Sequence, residues 1–147
     1  MTPDVNVLVA AARGDHPHHA VAVAWLSQSL AAASAGAAFT LMPMVVASFL
    51  RLVTRPTIFM LPAGIDEAIR FVDALLEQPG VHMAGLGSEW PTLRSLCLDK
   101  RLTANDLPDA WLAAATLQMA EHLVSFDADF RKLLPRSRLT LLRAAAG

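Results

Sequence analysis

Apolar positions along this chain follow two rhythms, one suited to strands and one to helices, and Gly and Pro mark most of the breaks. Residues 3–9 (PDVNVLV) read as a short buried strand ending near Ala10. GDHPHH is a loop, with Gly14 and Pro17 as breakers. His18 to Ala33 is helical, with Val21, Ala24, Trp25 and Leu30 on one side. After a turn at Ser34 and Gly36, Ala38 to Met42 forms a strand. Pro43 suits the first turn of a helix, where its missing N–H has no partner to lose. That helix runs through VVASFLRLVT and stops before Pro56.

Beyond Pro62 and Gly64, Asp66 opens IDEAIRFVDALLEQ, a helix with Ile65, Ile69, Val72 and Leu76 inward; Gly80 ends it. Residues 81–86 alternate like a strand. Ser88 with Trp90, Leu93, Leu96 and Leu98 predicts another helix, and DAWLAAATLQMAEH a further one, with Pro108 just ahead of it. LVSF (123–126) is a buried strand, DADFRKLLP a short helical turn and 138–142 a last strand. Strands alternating with helices predict an α/β fold whose parallel sheet is covered on both faces.

Composition narrows the function classes. At 147 residues the chain is read as one domain, spanning 1–147. Hydrophobic residues make up 54% and charged ones 17%, enough to bury a sizeable core and too apolar for disorder. A net charge of −1 gives no overall basic field, so a nucleic-acid partner must be held by a local patch or through metal. The one cysteine, Cys97, excludes an intrachain disulfide and reads as a small buried hydrophobe. No apolar stretch reaches the roughly 20 residues of a membrane span, and the opening run is too short for a signal peptide. A cytoplasmic protein is expected. Tyrosine is absent and Phe occupies core-like positions, which argues against a platform for stacking bases.

The candidate chemistry lies in aspartates far apart in sequence. Asp4, Asp109 and Asp127 each adjoin an apolar run, as do Asp106 and Asp129. In open α/β sheets the site lies outside the carboxyl ends of the strands. Asp127 falls there, and Asp109 falls at a helix start. Asp4, at the beginning of its strand, fits that rule less cleanly. Grouped carboxylates beside a core are costly without a cation between them, and hard oxygen ligands suit Mg²⁺ or Mn²⁺. No His/Cys spacing fits zinc, no Gly-rich phosphate loop occurs, and Ser48 has no GxSxG turn around it. Each aspartate also has an ordinary reading: a strand end for Asp4, a helix-dipole charge for Asp109, a cap for Asp127.

PDVNVLVAA, FLRLVTRPTIF, LPDAWLAAA and LVSFDADF, in that order and at those separations, resemble the PIN-domain nucleases, most closely the VapC toxins of bacterial toxin–antitoxin pairs. The resemblance covers essentially the whole chain. It implies a three-layer α/β/α sandwich with a mainly parallel central sheet and a divalent-metal endoribonuclease. It also implies an RNA substrate, homodimerisation, and a VapB-type antitoxin whose C-terminal segment fills the active groove. Carried over by position, Asp4, Asp109 and Asp127 match the acidic metal ligands, and Asn6 and Ser125 the polar residues flanking them. Arg51 matches an arginine that the family's glutamate precedes by three residues; here that slot holds Ser48. Two readings follow: a ribonuclease working despite the missing acid, or a weakened or inactive PIN fold that binds RNA and an antitoxin. The same metal logic permits DNA nuclease or phosphatase chemistry.

Other residues have readings on both sides. Asp106, three before Asp109, is a substitute ligand or, more simply, a loop cap. Glu89 is a weaker ligand candidate and reads as the cap of the Trp90 helix. His16, His18 and His19 read as exposed loop residues. Arg51 and Arg55, four apart on one helix face, are candidate phosphate contacts. Arg131, Lys132, Arg136, Arg138 and Arg143 form a basic C-terminal region suited to a nucleic-acid backbone. Trp25, Trp90 and Trp111 are expected in the core or a dimer interface, with Trp111 the exception: two residues from Asp109, it is also a candidate neighbour of a bound base. The apolar surfaces of helices 18–33 and 43–54 are a candidate antitoxin groove.

Overall fold

The first strand is shorter than the apolar run that follows it. In the computed structural model, which describes residues 1–56 and 61–143, β1 is Thr2–Pro3 and α1 is Val5–Ala12. The expected strand over 3–9 is therefore mostly helix. An apolar run buried on every side carries no rhythm to separate strand from helix. Asp4 decides the matter locally: its Oδ1 accepts the Val5 N–H at 2.7 Å and caps α1. Asp4 thus sits at the carboxyl end of β1, where sites in such sheets form.

The remaining elements follow the expected order. They are α2 (His19–Ser34), β2 (Phe39–Leu41), α3 (Pro43–Val53), α4 (Ile65–Glu77), β3 (Val81–Met83), α5 (Trp90–Lys100), α6 (Asp106–Gln118), β4 (Leu123–Ser125) and β5 (Leu139–Leu141). A 3₁₀ turn, Ala128–Lys132, follows β4. Pro108 lies inside the first turn of α6 rather than ahead of it. Arg55 lies beyond α3, which ends at Val53, so it does not share a helix face with Arg51. The end of the FLRLVTRPTIF piece, 57–59, lies outside the described residues.

All strand pairs are parallel: β1 with β4, β4 with β5, and β2 with β3. The Thr40 N–H donates to the Met1 carbonyl at 2.9 Å and sets β2 beside β1. The strand order is therefore β3-β2-β1-β4-β5, with helices packed on the sheet in the expected α/β/α manner. Phe39, Phe49 and Phe130 are fully buried, and burial of such a ring stabilises by roughly 1.5–3 kcal/mol. On α2 the buried residues are Ala22, Leu26 and Ala33, while Ala24 is exposed. On α4, Ala68, Val72 and Leu75 face the core; Ile69 lies one position off that stripe, Ile65 is the first residue of the helix, and both are exposed. Gly80 turns the chain into β3 at φ +80°, and a Cβ there would stand 2.4 Å from the Ala33 carbonyl oxygen. Among the described residues no helix is long and apolar enough to cross a membrane.

Candidate active site

The carboxyl ends of β1 and β4 lie side by side because their register pairs Pro3 with Val124. The next residues, Asp4 and Ser125, are joined directly. The Ser125 hydroxyl donates to Asp4 Oδ2 at 2.7 Å, and both residues are buried. The same hydroxyl oxygen accepts the Asn6 amide at 3.2 Å and the Asp127 backbone N–H at 2.9 Å. Asn6 Oδ1 accepts the Phe126 N–H at 3.2 Å. Asp127 Oδ1 accepts the Asp129 N–H at 2.9 Å and starts the 3₁₀ turn, as its cap reading expects. Asn6 and Ser125 therefore tie the first and last expected acids into one network.

Asp109 reaches the same region from the first turn of α6. A cavity of about 920 Å³ is lined by Asp4, Asp109, Ser48, Arg51, Trp90 and Trp111, among mostly apolar neighbours. Asp127 is outside that lining, yet its charge is felt within it. Burial pushes the Asp109 carboxyl up to about 6, helped by the charges of Asp4, Asp127, Asp129 and Asp106. Asp4 is also pushed up by burial, against its bonds to Ser125 and Val5. Mutual repulsion of this kind marks a site short of positive charge. The oxygens fit Mg²⁺ or Mn²⁺ chemically. Among the described residues no three His, Cys, Asp or Glu side chains converge into an ion's shell.

Several expectations are corrected here. Asp106 is not one of them: it is exposed and its Oδ2 accepts the Thr103 N–H at 3.3 Å, as its loop-cap reading expects. Glu89 stands at the N-cap position of α5 without capping it; its oxygens accept from Gly87 N and the Trp111 indole, both at 2.7 Å. Burial pushes its carboxyl up, but those two bonds prevail and hold it below the usual range. Trp90 and Trp111 are exposed, at 61% and 47%, instead of filling the core; Trp25 packs against it. Cys97 is half-buried in the cavity wall. The cavity takes its lining from Asp4 and Val5 at the start of α1 and from α3, α5 and α6, and α2 contributes none of it.

The three loop histidines are half-buried. His19 bonds the Ala10 carbonyl at 2.8 Å, and His18 stacks on Phe126 with centroids 4.8 Å apart. In the basic C-terminal region, Arg131, Arg136 and Arg143 line a separate groove, whereas Arg138 donates to the Glu121 carbonyl and Lys132 pairs with Asp129. Sequence reasoning missed the Glu89–Trp111 bond, because nothing in a linear pattern pairs residues of two different helices.

Residues 1–133 match the PIN domain. The chain is 40% identical to Ribonuclease VapC31 of Mycobacterium tuberculosis over 130 residues, 88% of this chain and 89% of that one. It is 39% identical to Ribonuclease VapC25 of the same organism over the same shares. The fold resembles a chain of the crystal structure of VapBC2 from Rickettsia felis bound to a DNA fragment from their promoter. That likeness has a TM-score of 0.66 and 14% identity, covering 97% of this chain and 98% of that one. On these matches this chain belongs to the PIN-domain family, among the VapC ribonucleases.

Proposed function

We propose that this chain is a divalent-metal-dependent endoribonuclease, the toxin of a type II toxin–antitoxin pair. The observation that carries the reading is the electrostatic grouping of buried Asp4 with half-buried Asp109 and Asp127, in a relative of named ribonucleases. Mg²⁺ or Mn²⁺ would be held by pairs of these carboxylates, with solvent completing a shell that no three side chains supply. Such an ion, when bound, activates water and offsets charge on a phosphodiester. The chain's own residues do the rest. Ser125 and Asn6 fix the directions of Asp4 and Asp127. Arg51 places a guanidinium in the cavity wall for a phosphate oxygen. Arg55 is beyond the helix and outside that wall, so no phosphate role is given to it.

The apolar remainder of the cavity suits the C-terminal segment of a VapB-type antitoxin. Exposed Ile65, Ile69, Trp90 and Leu98 supply apolar surface for a homodimer.

Ser48 supports a second reading. It lines the cavity where the family places a glutamate, so the site has one carboxylate fewer. A weakened or inactive fold that still binds RNA and antitoxin follows if that charge is needed. The test is antitoxin-free protein incubated with total RNA in Mn²⁺, Mg²⁺ or EDTA, beside Asp109→Ala and Ser48→Glu. Cleavage by the unaltered chain, lost with EDTA and with Asp109→Ala, supports the enzyme. Normal cleavage by Asp109→Ala overturns it, and cleavage only by Ser48→Glu favours the binding fold.

A further inference from the structure

Trp111 lies two residues after Asp109 on α6 and lines the same cavity as Asp4, Ser48 and Arg51. An indole used only for packing buries its ring; this one is 47% exposed. It is nevertheless held. Its N–H donates to Glu89 Oε1 at 2.7 Å, and Glu89, only 3% exposed, is held in turn by the Gly87 N–H at 2.7 Å. Gly87 adopts φ +132°, a conformation open to glycine, and so can present its N–H to that carboxylate. A buried carboxylate is thus engaged on the polar edge of a half-exposed ring. Arg51 and Arg94 add two guanidiniums to the same wall.

We infer that Trp111, tethered by Glu89, is a stacking platform for one unpaired nucleobase of the RNA strand held at Asp4 and Asp109. The inference rests on the ribonuclease reading. Every base has a π face, so a fixed indole beside the acids takes a single-stranded base of any identity, while arginines meet the flanking phosphates. An antitoxin segment would need apolar area in this cavity; it gives no reason for a ring immobilised through its one polar atom next to Asp109. Glu89 acts through Trp111 and is a positioning residue. The tyrosine-free composition argues against a platform; the half-exposed, tethered Trp111 is the observation that favours one.

The test compares a labelled adenosine heptamer with a fully abasic ribose-phosphate strand of equal length. Binding is measured by anisotropy with Ca²⁺ present to neutralise the aspartates. The unaltered protein should prefer the base-bearing strand about tenfold, the scale of one base stacked on an aromatic ring. Trp111→Ala should reduce that preference to about one while still binding the abasic strand as before. Trp111→Phe should restore most of it, and Glu89→Ala should leave roughly a threefold preference. A misfolded variant would lose both strands together, and the unaltered protein's own preference needs no variant. No preference in the unaltered protein, or an intact one in Trp111→Ala, overturns the platform. If Trp111→Ala instead loses only an amphipathic helical peptide, the ring serves a protein partner and the platform also fails. If the unaltered chain binds neither strand and cuts no RNA, the ribonuclease reading fails with it; cutting without a base preference sinks the platform alone.

Discussion

The Ser125 hydroxyl donates to Asp4 Oδ2 at 2.7 Å, joining residues 121 positions apart. It is also the acceptor for the Asn6 amide and the Asp127 N–H. Ser125→Ala leaves two donors and one buried carboxylate oxygen unmatched. The expected loss of stability is about 1–3 kcal/mol. RNA cleavage should fall as well, because Asp4 loses the bond that aims it. Thermal unfolding and a cleavage assay on the same preparation check both; unchanged values in each would refute the hub.

Asp109 titrates near 6, well above an ordinary aspartate. In metal-free protein the folded state therefore holds this proton more tightly than the unfolded chain does. Its contribution to stability is fully present below the unfolded value of 3.8 and is lost as pH rises through about 6. Metal-free protein should gain stability on acidification from pH 7 to pH 5, by roughly 1 kcal/mol from this group after allowing for its partial exposure to solvent. Asp109→Asn should be more stable than the unaltered chain at pH 7 and should flatten that part of the profile. Unfolding midpoints measured in EDTA across this range decide it.

Bound metal reverses the preference for the proton. Mg²⁺ or Mn²⁺ affinity should weaken as pH falls through about 6, because the ion and the proton compete for Asp109. Calorimetric titration at pH 7.5 and 5.5 should show a loss of about fourfold from this group alone. Equal affinity at both values would remove Asp109 from the ligand set.

Ser48 lines the cavity beside Asp4 and Asp109. Ser48→Glu adds a fourth carboxylate to a site already short of positive charge. Without metal it should destabilise the fold and push Asp109 further up; with Mn²⁺ it should tighten binding. A glutamate that changes neither metal affinity nor cleavage would show that this helix position is outside the site.

Gly80 packs against the end of α2, with φ +80° and no room for a Cβ beside the Ala33 carbonyl. Gly80→Ala should destabilise by about 2 kcal/mol through strain and clash together. That corresponds to a midpoint lowered by roughly 4–8 °C in a chain of this size. Activity at low temperature should be nearly unaffected, since the turn is remote from the acids.

Much of this was readable from residue order. The boundaries of α2, α3, β2 and β4 follow from Pro, Gly and periodic apolar positions, and Asp4, Asp109 and Asp127 stand out by their settings. The first helix was not readable, because VNVLVAAA is apolar on all sides and its N-cap looks like a strand residue. Ile65 and Ile69 misled for the opposite reason: their spacing is helical, but the core stripe of α4 runs through Ala68, Val72 and Leu75. Hydrophobic identity did not say which stripe the sheet would take. Trp111 stood out by its place two residues after Asp109, but its partner, Glu89, comes from just ahead of another helix and no linear pattern pairs them.

The pairing of Thr2 with Leu123 has a bearing on synthesis. A ribosome makes the central strand, β1, early and its neighbour β4 more than a hundred residues later. Contacts so distant form late and set the pace of folding. A chain interrupted before β4 has Asp4 but neither Ser125 to aim it nor Asp127 to complete the charge. The harmful chemistry proposed for this protein is therefore withheld from unfinished copies by topology alone.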